Sequence, residues 1–393
     1  GWGLEGQEAF WARRDPLLRA RCHVATTSHR TRFFGELEIL NVLHLAAGNR
    51  WTGAAALAFA EVEALRAAGV EAHFGYVGGY LLEEKIGNTA FAHPVIEKPQ
   101  NPASFRRTTS AVRKLIDTLK IDVVHAHTTY DYWLAHFAAG RAHVSRTFHA
   151  RRILRSDPIT RYGVARTAGL FVVIKAFLDA PLLRRRRPVF TPPPLDERQF
   201  HPKGPDVRAA YGVAAADALV IVIGKLSAGR GFEAAIETLA ELKARRAGIR
   251  LMIVGRGEHR PILEEQARGL GVADAVIWAG YHEEDLAEHY RAADVLLFTA
   301  KGSDEGHRAV IEAMACGTPA VTYPIEGVDA LLGDLAQRLI APEASPASLA
   351  ATVDAILAED RGVLRDLTAA RTLVFGYAPA ARRLLDVYEH FRR

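Results

Sequence analysis

Residues Gly302 to Val321 read GSDEGHRAVIEAMACGTPAV, a glycine-broken loop rich in carboxylates that runs into a short, otherwise apolar helix. That helix carries one glutamate, Glu312, among Ala309, Val310, Ile311, Ala313, Met314 and Ala315. A helix so apolar buries itself almost all round, and a buried carboxylate needs a polar partner. Gly317 is a natural C-terminal cap, Pro319 prevents the helix from continuing, and Ala320 to Tyr323 reads as a core strand. Loop, helix, glycine and strand in this order mark a functional site.

Working outward, the same alternation extends back to Ala218. The strand ALVIVIG is followed by the loop KLSAGRG, the helix FEAAIETLAELKARR, the strand IRLMIVG and the helix ILEEQARGLG. The strand AVIWAG, the helix DLAEHYRAA and the strand DVLLFTA complete the run, which predicts a doubly wound α/β domain. A second pattern of this kind occupies the first half. Ile39 to Ala47 is a short apolar run, a loop with Gly53 follows, and ALAFAEVEALRAAG reads as a helix ending at Gly69. Strands are expected at Glu71 to Val77, Asp122 to Ala126, Ser145 to Phe148 and Leu170 to Ile174, with a helix from Pro102 to Lys120. The proline cluster Thr191 to Pro194 places a boundary, and Ala378 to Phe391 is amphipathic and helical in pattern. The expected division is an extension at 1–36, domains at 37–196 and 197–375, and a terminal helix at 376–393.

At 393 residues and 49% hydrophobic content, the chain exceeds one comfortable core. No apolar run approaches the roughly 18 residues a spanning helix needs, and the first residues lack the order of a secretory signal. A cytoplasmic protein is expected, in peripheral contact with the inner face of an anionic membrane if its positive charge is used there. Residues 1–200 hold 28 Lys and Arg against 18 Asp and Glu, whereas residues 201–393 hold 22 against 27. Arg106, Arg107, Arg113, Lys114, Arg151, Arg152, Arg155 and Arg184 to Arg187 carry most of the excess, which suits an anionic partner. No nucleic-acid-binding signature accompanies it, so nucleic acid is not expected. Cys22 and Cys316 have no metal-ligand spacing. Neither domain opens with a glycine-rich dinucleotide fingerprint, which disfavours a nicotinamide dehydrogenase.

The 302–321 stretch resembles the signature of the retaining glycosyltransferases of family 4 (glycosyl transferases group 1), which have the GT-B fold. The resemblance implies two Rossmann-like domains facing a central cleft, with the terminal helix crossing back to the first. It also implies a nucleotide-sugar donor, a UDP- or GDP-sugar, and a saccharide or lipid-linked acceptor of cell-envelope glycan or lipopolysaccharide synthesis. No cofactor and no metal are implied; the chain lacks the Asp-x-Asp triplet that holds a divalent ion in the other major transferase fold. Asp304 and Glu312 match the family's two carboxylates, the first near the donor sugar and the second on the ribose. Glu305 follows Asp304 and shares its candidacy. Lys225 and Arg230, in the loop after a strand, stand where relatives carry Arg and then Lys on the diphosphate. His127, the second histidine of HAH, matches a position beside the donor sugar, and His149 a position facing the cleft. Gly224, Gly280 and Tyr281 match loop and nucleobase contacts, Arg256 occupies a position there that relatives often fill with Asp or Asn, and Gly53, Gly306, His307 and Arg308 match cleft positions. Two other readings accompany this one: a sugar-nucleotide epimerase on the same fold, and a catalytically silent relative acting as a membrane-bound assembly partner. A phosphorylase would need a pyridoxal-bearing lysine motif, which is not found.

Overall fold

The structure, a computed structural model, describes residues 40–86, 88–98, 100–300 and 307–391. The expected extension at 1–36 and the loop residues Asp304, Glu305 and Gly306 lie outside the described residues. Seven strands form the first sheet: β1 (Asn41–Ala46), β2 (Glu71–Val77), β3 (Ala92–Ile96), β4 (Val123–Ala126), β5 (His143–Phe148), β6 (Gly169–Val172) and β7 (Val189–Phe190). Five form the second: β8 (Ala218–Ile223), β9 (Ile249–Val254), β10 (Val276–Gly280), β11 (Val295–Phe298) and β12 (Ala320–Thr322).

The spatial orders are β3-β2-β1-β4-β5-β6-β7 and β10-β9-β8-β11-β12, and the paired strands run parallel. Both orders reverse direction beside the first strand of the domain, between β1 and β4 and between β8 and β11. A doubly wound sheet opens its ligand crevice at that reversal, outside the carboxyl ends of the strands. Strands such as ALVIVI and IRLMIV are apolar almost throughout because helices cover both faces. Thr52 starts the helix Gly53–Ala67 by accepting the amide of Ala55 at 3.3 Å, and Asn101 with Ser104 forms a capping box for Pro102–Leu119.

Two strands and seven helices go beyond the sequence reading, the helices at Leu81–Ile86, Thr129–Ala138, Pro158–Ala165, Val328–Leu332, Ala336–Leu339, Pro346–Leu357 and Arg361–Thr372. β3, sequence AHPVI, is an edge strand, where Pro94 can face outward without breaking a shared ladder. β7 has two residues at the opposite edge. Leu81–Ile86 and Thr129–Ala138 are short helices whose periodicity is too brief to stand out.

The two domains are joined at neighbouring places. The amide of Leu195 donates to the Phe375 carbonyl at 2.9 Å, and Leu195 bridges Gly376. Beyond this point the terminal helix Tyr377–Tyr388 packs on the helix Gly53–Ala67 of the first domain. Tyr377 donates to Glu63 Oε2 at 2.9 Å, and the buried Tyr388 hydroxyl meets His125.

Candidate functional site

At the carboxyl ends of β8, β9 and β10 three loops lie backbone on backbone. Gly224 donates its amide to the Val254 carbonyl at 3.0 Å, and Gly255 donates to Gly280 at 2.6 Å. Gly255 has φ +149°, and a Cβ there would stand 1.9 Å from the Gly224 carbonyl oxygen. Only glycine lets the second loop lie this close to the first. The β8 loop is thereby pressed flat, with Lys225 and Arg230 on its open side. Lys225 is 65% exposed and approaches Glu258 at 3.9 Å, and Arg230 is exposed as well. Both line a cleft of about 300 Å³ whose opposite wall is Trp51, Thr52 and Gly53 of the first domain. His307 and Arg308 close one end. Two cations and a helix N-terminus thus face one space, an arrangement suited to a polyanion.

The glutamate helix spans Arg308–Ala315 and ends in a Schellman motif, with Gly317 at φ +81° and the Thr318 amide on the Ala313 carbonyl. Glu312 is 6% exposed and has the polar partners its burial demands. Tyr290 donates to Oε2 at 3.1 Å and Arg308 pairs with Oε1. Burial first, and then Glu312 itself, hold the Tyr290 phenol well above its usual range, so it stays a neutral donor. Tyr290 gave no signal in the sequence, because an aromatic on the buried face of DLAEHYRAA reads as core. Glu312 also borders a larger space of about 1190 Å³ together with Arg256, Gly257 and Tyr281. There the Arg256 guanidinium stacks 4.4 Å above the Tyr281 ring, which is itself half exposed.

Ion pairs that the sequence reading did not foresee link the two domains across the cleft. Lys85 of the first domain pairs with Glu283 of the second, and Arg151 pairs with Glu326. His307, in a left-handed conformation at φ +53°, places Nε2 3.1 Å from the Glu326 carbonyl. Part of the basic excess is therefore internal pairing; Arg107 likewise binds Glu97 bidentately, and Arg146 is buried between the Tyr132 and Phe148 rings.

His127 and His149 are not on the cleft wall. His127 is 1% exposed, with Nε2 3.0 Å from His44 Nδ1 and Nδ1 3.2 Å from His149 Nε2. These rings, with His125 and Glu61, form a buried cluster inside the first domain. The strand-end position expected of His127 is correct, but the following helix and His149 cover the ring. Burial pushes His44 and His149 down to about 3, and His127 well below its usual value, so all three imidazoles are neutral. Glu61, fully buried, is pushed up to about 8 by the same cause, opposed by Arg383.

Known proteins match this architecture. A family model described as Glycosyl transferases group 1 matches residues 205–370, and one described as Glycosyltransferase Family 4 matches residues 51–176. The D-inositol 3-phosphate glycosyltransferase of Geodermatophilus obscurus is 34% identical over 184 residues, covering 44% of this chain and 41% of that one. The mannosylfructose-phosphate synthase of Agrobacterium fabrum is 31% identical over 35% of this chain and 33% of its own. This chain thus spans less than half the length of these curated relatives in the matched region. Among solved structures, Anabaena Alr3699/HepE in complex with UDP has a TM-score of 0.73 over 89% of this chain and all of that one, at 16% identity. With both sheets matched and the architecture shared, the chain belongs to the GT-B glycosyltransferases of the family 4 type.

Proposed function

We propose that this protein transfers a sugar from a nucleotide-sugar, a UDP- or GDP-sugar, to a saccharide or lipid-linked acceptor with retention of anomeric configuration. The observation that carries the proposal is the convergence of Lys225 and Arg230 with Gly53 and Arg308 on one cleft beside Glu312. Lys225 and Arg230 neutralise the diphosphate without a divalent ion between them, and Glu312 accepts the ribose hydroxyls. Tyr281 and Arg256 border the base. In the reaction the bond from the sugar's anomeric carbon to the diphosphate oxygen breaks, and the acceptor oxygen bonds to that carbon on the same face. The acceptor's proton passes to the departing phosphate, whose growing charge the two cations stabilise more than they stabilise the ground state. Asp304, with Glu305 beside it, binds a hydroxyl of the donor sugar. The burial of His127 gives it a supporting part.

The basic first domain and the phosphorylated compounds named for two relatives support a phosphorylated acceptor, with envelope glycan synthesis as the setting. The basic first domain supports peripheral contact with an anionic membrane that carries a lipid-linked acceptor; among the described residues no helix is long and apolar enough to cross a membrane.

Calorimetry with UDP, GDP, ADP and their sugar conjugates, with and without added Mg²⁺, tests the reading. One diphosphate should bind equally well in both conditions; binding by none, or only with the ion, would sink it. Lys225→Ala and Arg230→Ala should each cost about 1.5 to 3 kcal/mol in diphosphate binding and nothing for the bare nucleoside. An equal loss for both ligands would contradict the assignment. Asp304→Asn should leave nucleotide affinity intact while slowing transfer about 100-fold, the scale of one lost transition-state contact. Full turnover in that variant would remove Asp304 from the site.

A further inference from the structure

We propose that His44, Glu61 and His127 bind a zinc ion inside the first domain, with His125 completing the set, at a site separate from the donor cleft. His44 Nδ1, His127 Nε2 and Glu61 Oε2 form a triangle with edges of 3.0, 3.5 and 3.6 Å. Ligands on a tetrahedral zinc, at about 2.0 to 2.1 Å from the metal, stand about 3.3 Å apart. The two longer edges are too long for good hydrogen bonds and fit an ion shared between the three atoms. His125 offers a fourth atom, and all four ligand atoms lie within 4.8 Å of one another.

The second observation is an orphaned oxygen. Glu61 is fully buried, and among the described residues its Oε2 has no hydrogen-bond partner, while Oε1 is approached by Thr191 at 3.5 Å. Arg383 lies close enough to act on this carboxylate, but its Nε and Nη2 are also without partners, so no direct bond compensates the oxygen. A buried carboxylate oxygen in this state is costly, and a cation at the triangle's apex removes the cost.

The outer contacts agree. A ligating histidine normally gives its other ring nitrogen to a neighbour that fixes its orientation. His127 presents Nδ1 to His149 Nε2 at 3.2 Å, and His44 presents Nε2 to the Tyr388 hydroxyl at 3.4 Å. His125 contacts Tyr388 and Thr147 through its two nitrogens, so it joins the ion by giving up one of these. Two neutral imidazoles and a carboxylate suit zinc better than calcium or magnesium, which take oxygen ligands. The ion would tie β1, β4 and the helix Gly53–Ala67 together.

The test uses the full chain, stripped of metal, incubated with Zn²⁺ or with Co²⁺ as a spectroscopic probe, and desalted. The expected result is one retained ion per chain and the intense visible bands of four-coordinate Co²⁺. Glu61→Gln and His44→Ala, checked for folding by circular dichroism, should retain less than about a tenth of an ion. If these variants fail to fold, the wild-type measurement decides alone, since folded protein that retains no ion and shows no such bands overturns the proposal. Ion binding lost in His282→Ala but kept in Glu61→Gln would place the metal at the second cluster, His282, Asp285 and His289, and would overturn it too. Neither readout depends on transfer activity.

Discussion

Replacing Glu312 with alanine is expected to raise the dissociation constant for the preferred nucleoside diphosphate about 100-fold, close to 3 kcal/mol, while leaving inorganic pyrophosphate binding unchanged. The split follows from the geometry proposed for the donor. Glu312 is not among the residues lining the smaller cleft; it borders the larger space that holds Tyr281, and in the proposed donor geometry it meets the ribose. Stability should fall as well, by about 1 to 3 kcal/mol, because the Tyr290 hydroxyl would lose its acceptor in a fully buried place. Glu312→Gln keeps an acceptor for Tyr290 and so separates the two effects: near-normal stability with weakened nucleotide binding. Calorimetry with both ligands, together with urea unfolding, measures this; an alanine variant with wild-type nucleotide affinity would defeat the ribose assignment.

Gly255→Ala is expected to lower the unfolding free energy by about 3 kcal/mol or more, and to weaken diphosphate binding at the same time. Its new methyl would stand 1.9 Å from the Gly224 oxygen, and neither loop has slack. Gly224 is held by Val254 and Gly255 by Gly280, so relief of the clash must break one of these bonds and lift Lys225 from its place. Gly229 supplies the control. It also has a positive φ, +75°, but nothing lies within 4 Å of its Cβ position, so Gly229→Ala should cost only the backbone preference, about 1 to 2 kcal/mol. Equal effects of the two substitutions in urea titrations would show that crowding at Gly255 is not what matters.

The second domain was legible because its strands are largely buried and read as mainly apolar runs of three to six residues, separated by clear helices. The first domain's edges were not: β3 contains a proline and β7 has two residues, and neither produces a pattern longer than chance. In the site, Glu312 stood out as a charge in an apolar helix, and Lys225 and Arg230 as cations in a strand-to-helix loop. Its partners were silent. Tyr290, Glu61 and His44 lie at positions where helix and strand periodicity expects a buried residue, and periodicity cannot tell a polar group with a task from one more core side chain. The pairs Lys85–Glu283 and Arg151–Glu326 join residues 198 and 175 positions apart, a proximity that only the fold creates. His127 marks the opposite error: a strand-end histidine correctly placed, but roofed over by its neighbours.

Because the terminal helix lies on the first domain, the part of that domain made last is nearly 200 residues downstream of its other elements. Tyr388 is fully buried against His125 of β4 and near His44 of β1. During synthesis the second domain can close on its own as it emerges, whereas the first must wait, with the helix Gly53–Ala67 uncovered, until residues 377–388 leave the ribosome. A chain cut after residue 381 would therefore keep the sheet of the second domain whole and leave the first without Tyr388.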